Sequence, residues 1–289
     1  MQHEALRVFD RVRLDNGRLI MGFSGWMDGG DVSTGTVEYL IRKLSATKFA
    51  EINPSPFYIY SFPGSMEVAS LFRPHVKIED GVVAECDEPA STFYCSPPHN
   101  VVLFTGREPN LHWREFAECL FSVVSMCNVT TACFVGSFAG LTPHTREPRL
   151  FSAVSDETLR PLLKHYDLNP SAYEGPGSFT TFLTALAHAR GLELFSLVAE
   201  IPAYVEGRNP KCIETVMRKV AAIFDLPVDL SDLHALSRDF EKRINDLVKE
   251  SPELAEQIHR IEEDHDHAVV TAKDDELKTW LEKQGIRLD

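Results

Sequence analysis

The 289-residue sequence contains no run of about 18 consecutive apolar residues, so no membrane-spanning helix is expected. Its first residues, Met1-Gln2-His3-Glu4-Ala5, lack the apolar stretch of a secretory signal peptide. Basic residues are scarce: 29 Lys and Arg stand against 43 Asp and Glu, a formal net charge of −14. That deficit argues against sequence-independent nucleic-acid binding, which needs cations to displace counterions from phosphate. It argues equally against an anionic membrane surface. The six cysteines (Cys86, Cys95, Cys119, Cys127, Cys133 and Cys212) offer no Cys-x-x-Cys pair and no zinc spacing. Several lie in apolar runs, so buried free thiols in a reducing cytoplasm are expected. There is no Gly-x-Ser-x-Gly elbow, which removes the α/β-hydrolase serine, and no Gly-x-Gly-x-x-Gly or Walker loop.

What is present is enough to fold. Hydrophobic residues make up 44% of the chain, ample for one large or two unequal domains. The most informative stretch is Leu19-Ile20-Met21-Gly22-Phe23-Ser24-Gly25-Trp26-Met27-Asp28-Gly29-Gly30-Asp31. Leu19 to Phe23 suits a buried strand. The glycines that follow mark a turn with close approach or positive φ. Asp31 stands where a helix N-cap is expected, and Val37, Leu40, Ile41 and Leu44 then share a helical face. Trp26 is an unusual residue for a turn tip and is expected to be partly buried, against a neighbouring loop or another subunit. Asp28 and Asp31 occupy the place a phosphate would take, so they satisfy the helix dipole and repel an anion.

Apolar strand segments at residues 19–23, 57–60, 101–104, 131–135 and 194–199 alternate with helical patterns at 31–44, 110–127, 156–165, 178–190 and 210–224. This alternation implies βαβ units and a mostly parallel sheet covered on both faces. Residues 81–86 and 91–94 read as an added hairpin, and 150–155 as one more strand. The character changes near residue 228. Residues 229–289 hold 17 acids against 9 bases, and so carry −8 of the total charge. The expected division is an α/β core domain at 1–228 and an acidic helical hairpin at 229–289, with a short last helix near 274–283. The hairpin should pack through the stripe Leu233, Leu236, Phe240, Ile244 and Leu247, with residues 262–266 facing outward.

The glycine-rich turn resembles the Gly-Trp-x-Asp-x-Gly signature of the proteasome assembly chaperone 2-like family. Further segments agree in the same order: Gly106-Arg107-Glu108-Pro109-Asn110-Leu111-His112-Trp113, Gly136-Ser137-Phe138-Ala139-Gly140 with Pro143-His144-Thr145-Arg146, Tyr173-Glu174-Gly175-Pro176-Gly177-Ser178, and Glu200-Ile201-Pro202-Ala203-Tyr204-Val205. The resemblance covers roughly residues 15 to 225. It implies a three-layer fold similar to the phosphorylase/hydrolase-like group and a self-associating protein, its bacterial relatives being similar to homotrimers. It also implies a non-enzymatic assembly or protein-interaction factor whose partner is unknown. Relatives that act on proteasomes often end in hydrophobic-Tyr-x. This chain ends Ile286-Arg287-Leu288-Asp289, so docking by that route is not expected.

In open parallel sheets ligands bind beyond the carboxyl ends of the strands. That rule gathers the family segments into one candidate rim: Trp26 and Asp28 after the first strand, Arg107 and Glu108 after the third. His144 and Arg146 follow the fourth and Tyr204 the fifth, with Glu174 nearby. Arg107 and Arg146 should find acids among Asp28, Glu108, Glu174 and Glu200; unpaired, they would favour an anionic ligand. Acid–base work by Glu108 or Glu174 with His144 is the enzymatic alternative, a small-molecule hydrolase or phosphorylase-like activity in this cleft. His259, Glu262, Glu263, Asp264, His265, Asp266 and His267 form a metal-like cluster, and His259 and Glu263, four apart, could hold a divalent ion on one helical face; such a run is more often a solvated face. No cofactor and no metal are expected.

Overall fold

A computed structural model describes residues 4–70 and 72–283, with side chains described as far as His267. Residues 286–289, the end that lacks a tyrosine, lie outside the described residues. The strands are β1 (Leu6–Val8), β2 (Gly17–Ser24), β3 (Thr47–Ile52), β4 (His75–Glu79), β5 (Val82–Asp87) and β6 (Ser91–Ser96). They continue with β7 (Val101–Arg107), β8 (Val129–Gly140), β9 (Leu150–Ser152), β10 (Asn169–Pro170) and β11 (Glu193–Pro202). The helices are α1 (Val32–Lys43), α2 (Met66–Ser70), α3 (Trp113–Met126) and α4 (Arg160–His165), followed by α5 (Phe179–Ala187), α6 (Pro210–Phe224), α7 (Ser231–Glu250) and α8 (Pro252–Lys283).

Nine strands form one sheet in the order β1-β3-β6-β7-β2-β8-β11-β9-β10, and β4 and β5 form a separate hairpin. The four central strands, β7, β2, β8 and β11, are mutually parallel. The flanks are not. Among the described residues five of the nine strand pairings are antiparallel. The expected mostly parallel, phosphorylase/hydrolase-like sheet is therefore replaced by a mixed one. The physical reason lies in the connections. β6 and β7 are joined only by the 3-10 turn Pro97–His99 and Asn100, far too short for the crossover a parallel pair requires.

Two strand assignments change with it. Residues 57–60 are not a strand; Thr47–Ile52 takes that place in the sheet. Val82–Asp87 pairs backward with His75–Glu79, so Ser91–Ser96 is released into the main sheet between β3 and β7. The helix at 210–224 is found with the expected bounds.

Helices cover both faces. On one face Phe116 of α3 and Phe179 of α5 meet Phe23 of β2, which also meets Phe104 and Phe134 of its neighbouring strands, with ring centroids 5.0 to 6.4 Å apart. Burial of each such ring contributes about 1.5–3 kcal/mol. On the other face Val37 and Leu40 of α1 and Ile213, Val216 and Val220 of α6 pack on Ile20, Val135 and Leu197. The helix α7 lies on α6 and α8 on α7. Leu233 and Phe240 of α7 are buried, but Leu236 and Leu247 are 55% and 62% exposed, so only part of the expected stripe docks. The Tyr39 hydroxyl donates to Asp232 over 2.6 Å, fastening the start of α7 to α1. The carboxy-terminal segment after residue 252 is one helix, not a hairpin arm plus a short last helix. Five of the six free cysteines are buried, and Cys86 on the β4–β5 hairpin is exposed. Among the described residues no helix is long and apolar enough to cross a membrane.

Candidate functional site

The turn after β2 is built on its glycines. A Cβ on Gly22 would stand 2.5 Å from the Ser33 carbonyl oxygen, so only glycine lets α1 lie directly on the strand. Ser33 then ties the two together, accepting from the Phe23 amide at 2.8 Å and donating to the Val135 carbonyl at 2.5 Å. The helix cap is not Asp31, which sits in the left-handed region at φ 52° and makes no side-chain cap bond. A 3-10 turn at Gly29–Asp31 precedes the helix and lifts Asp28 over it instead. The Asp28 carboxylate accepts from the Thr34 amide at 3.0 Å and the Thr34 hydroxyl at 2.8 Å. Burial raises its pKa to about 6, against the pull of those hydrogen bonds and with help from the Asp31 charge.

Trp26 is 72% exposed in the single chain, so no neighbouring loop of its own buries it. The turn closes through backbone contacts, so the indole is not needed to hold it: the Asp28 amide donates to Gly25 O, and the Trp26 amide to Glu108 Oε2 at 3.3 Å. The second Glu108 oxygen accepts from the Phe179 amide at 2.6 Å, so this carboxylate joins the turn to the start of α5. Arg107 is half-buried, and its carbonyl accepts from the Tyr58 hydroxyl at 2.6 Å. Glu174 is exposed in the loop before α5.

His144, Arg146 and Tyr204 form a second group. His144 is only 2% exposed. Its Nδ1 is 2.7 Å from the Tyr204 hydroxyl and its Nε2 is 3.1 Å from Asn245 Oδ1 on α7. Lys211 donates to the His144 carbonyl at 2.5 Å and to Glu241 at 2.7 Å. Burial lowers the His144 pKa below its usual value, and the nearby Lys211 charge adds to this; Asn245, Glu241 and Glu262 act in the other direction. Burial likewise raises the Tyr204 hydroxyl. Arg146 binds Asp266 of α8 in a two-pronged contact at 3.0 and 2.9 Å, with Glu262 at 3.5 Å. Thr145 also donates to Glu262. Glu263, Asp264 and Asp266 are exposed as expected of the outward face, whereas Glu262 is half-buried and His265 is buried. Glu108 is bonded to two backbone amides, Asp28 to Thr34, and Glu200 to Arg149 at 2.7 Å, so Arg146 pairs with Asp266 and Glu262 rather than with these three.

The expected rim is therefore two halves. One carries Trp26, Asp28 and Glu108 beside α5; the other carries His144, Arg146 and Tyr204 under α7 and α8. A cavity of about 770 Å³ opens at the first half. The sheet side supplies Phe138, Phe151 and Val198, and Trp26 and Tyr173 stand at it from the loops. Phe138 and Tyr173 lie inside the family-like segments, whose charged neighbours drew the sequence reading instead. Asn245, Glu262 and Asp266 were missed because they are about 100 residues or more from their partners. Among the described residues no three His, Cys, Asp or Glu side chains converge as a metal site. His259 instead lies 3.3 Å from Glu263 and 3.8 Å from Glu262.

The model of the PAC2 family matches residues 22–248, most of the chain. This chain belongs to the PAC2 family. A proteasome-assembly chaperone homologue of Mycobacterium tuberculosis is 30% identical, with a TM-score of 0.73 over 83% of this chain and 99% of that one. A PAC2 family protein of Streptomyces avermitilis is 25% identical, with a TM-score of 0.69 over the same shares. A Mycobacterium tuberculosis protein of unknown function shares the fold at 18% identity, with a TM-score of 0.82 over 96% of this chain and 94% of that one. No curated protein matches. The PAC2 match runs from β2 into α7, so it contains both halves of the rim but not Glu262 and Asp266. In this PAC2 protein the Arg146 anchorage thus rests on a helix beyond the family-matched span.

Proposed function

We propose that this chain is a non-enzymatic, self-associating assembly or protein-interaction factor, homotrimeric and cytoplasmic, with an α/β core at 1–228 and a helical extension at 229–289. The observation that carries this reading is the β4–β5 hairpin. Its register places Val76 opposite Cys86 and Ile78 opposite Val83, an apolar face, while Lys77 pairs across with Glu85 and His75 with Asp87. Val76, Ile78 and Val83 are 44%, 64% and 60% exposed. The same insertion exposes Met66 at 87%. A lone two-stranded hairpin is marginal in water, and an uncovered apolar face on it marks a contact with another chain. The name of the mycobacterial chaperone homologue supports an assembly role, and the buried unpaired thiols suit a reducing compartment.

The enzymatic alternative relied on pairing Glu108 or Glu174 with His144. Glu108 is engaged by two backbone amides, and His144 is bonded at both ring nitrogens in the other half of the rim. No observation favours that reading. The test is light scattering on the full chain and on an Ile78→Asp, Val83→Asp variant. The wild type is expected to form a multimer about threefold above 32.5 kDa and the variant to fall to 32.5 kDa. A wild type at the monomer mass at high concentration refutes self-association. A variant that keeps the multimer removes the hairpin from it.

A further inference from the structure

The cavity beside Trp26 has a chemistry that the protein-interaction reading does not use. It lies where the helices of one sheet face stop: α5 covers the central strands, and the face of β11 and β9 beyond it is left open. At about 770 Å³ it is within the size range of small-molecule sites, and its walls are apolar and aromatic in the manner of such sites. Trp26 and Tyr173 stand at it 72% and 66% exposed, with Phe138 at 39%. Large exposed aromatics beside a concave apolar wall are placed to cover a flat molecule on its faces.

The polar atoms in the wall narrow the ligand further. Among the described residues none that lines it is Asp, Glu, Lys, Arg or His, in a protein of net charge −14. An ion entering here would lose water and gain no countercharge. Three hydroxyls of the wall have spent their protons: Ser137 donates to the Gly29 carbonyl at 2.6 Å, Thr184 to the Thr180 carbonyl at 2.8 Å and Tyr173 to the Pro176 carbonyl at 3.1 Å. A hydroxyl in that state keeps lone pairs and can only accept. A ligand that brings an O–H or N–H of its own matches those three acceptors.

We infer that this cavity is a binding site for an uncharged, flat aromatic molecule carrying an O–H or N–H donor, of the phenol or indole type. The inference stands apart from self-association, because the site lies within one copy and away from the β4–β5 hairpin.

Three naphthalenes of one ring size test it by ligand-observed NMR titration at pH 7: 2-naphthol, 2-methoxynaphthalene and 2-naphthalenesulfonate. The full-length chain is expected to bind 2-naphthol at least threefold more tightly than the methyl ether, which lacks the donor. It should bind the sulfonate at least tenfold more weakly. Ala185→Trp, on the exposed side of α5 where it lines the cavity, should weaken 2-naphthol at least tenfold without changing the thermal midpoint. Trp26→Ala should weaken it about fivefold, which covers the case in which the larger substitution disturbs α5. Sulfonate binding equal to that of 2-naphthol overturns the assignment, as does 2-naphthol binding that ignores both substitutions. Binding that fades as protein concentration rises, and recovers in the Ile78→Asp, Val83→Asp variant, gives the cavity to a second copy and also overturns it.

Discussion

The two halves of the rim are built from the same kind of loop, at the ends of parallel strands, yet they have opposite fates. The half under α7 and α8 holds charged and titratable side chains, and the protein consumes them itself: His144 is held by Tyr204 and Asn245, Arg146 by Asp266 and Glu262. The Trp26 half has a cavity without charges and aromatic residues left exposed. Charge at a strand-end rim is therefore not a guide to where this protein can meet something else. Its charges fasten its own helices, and the available surface is the uncharged one.

The largest effect expected from this contrast is on stability. Phe240→Ala on α7 empties a buried site and should cost about 3 kcal/mol, whereas Trp26→Ala should stay within about 0.5 kcal/mol. Urea unfolding of the purified variants measures both. Equal costs would erase the distinction between the halves.

The pH response should have opposite signs in the two halves. Asp28 has a folded pKa raised to about 6 from 3.8. Its favourable contribution is full below about 3.8 and is lost as pH rises through about 6. The His144 pKa is lowered instead, so its contribution is present above its unfolded value of 6.5 and is lost as pH falls through the folded value. The groups facing His144 are Tyr204, Lys211, Glu241 and Glu262, along with the neutral Asn245. Asp28→Asn should flatten the stability curve between pH 4 and about 6, and His144→Gln should flatten it on the acid side of 6.5. Unfolding midpoints across that range decide it; changes of the same sign in both variants would contradict the environments described.

The smallest effect belongs to Arg146→Ala. Its ion pairs are partly exposed and should be worth about 0.5–1 kcal/mol. The substitution should nevertheless speed amide exchange in α8 selectively, leaving α5 unchanged. Uniform exchange would mean that the anchorage is ornamental.

Much of this was legible in the sequence, and for identifiable reasons. The glycine turn, the strands β2, β7, β8 and β11, and the helices between them follow from local patterning, and the four loops leave the same ends of four parallel strands. The antiparallel flank was hidden because strand direction depends on connection length, and residues 47–52, Thr47-Lys48-Phe49-Ala50-Glu51-Ile52, carry too little apolar contrast to announce a strand. The cap moved from Asp31 to Asp28 because a 3-10 turn intervened, which spacing alone does not reveal. The division of the rim was hidden because the partners of His144 and Arg146 lie about 100 to 120 residues downstream. Exposure of Trp26 went against its residue type, since large aromatics are usually covered.

Hydroxyl-radical footprinting of the dilute full-length chain addresses the contrast between the halves directly, because Tyr173 and Tyr204 report one half each with the same chemistry. Tyr173 and Trp26 are expected to be oxidised at the rates of exposed rings, and Tyr204 and His144 severalfold more slowly under α7. Tyr204 oxidised as fast as Tyr173 would show that the carboxy-terminal helices do not close their half, and would contradict the division of the rim into a consumed half and an open one.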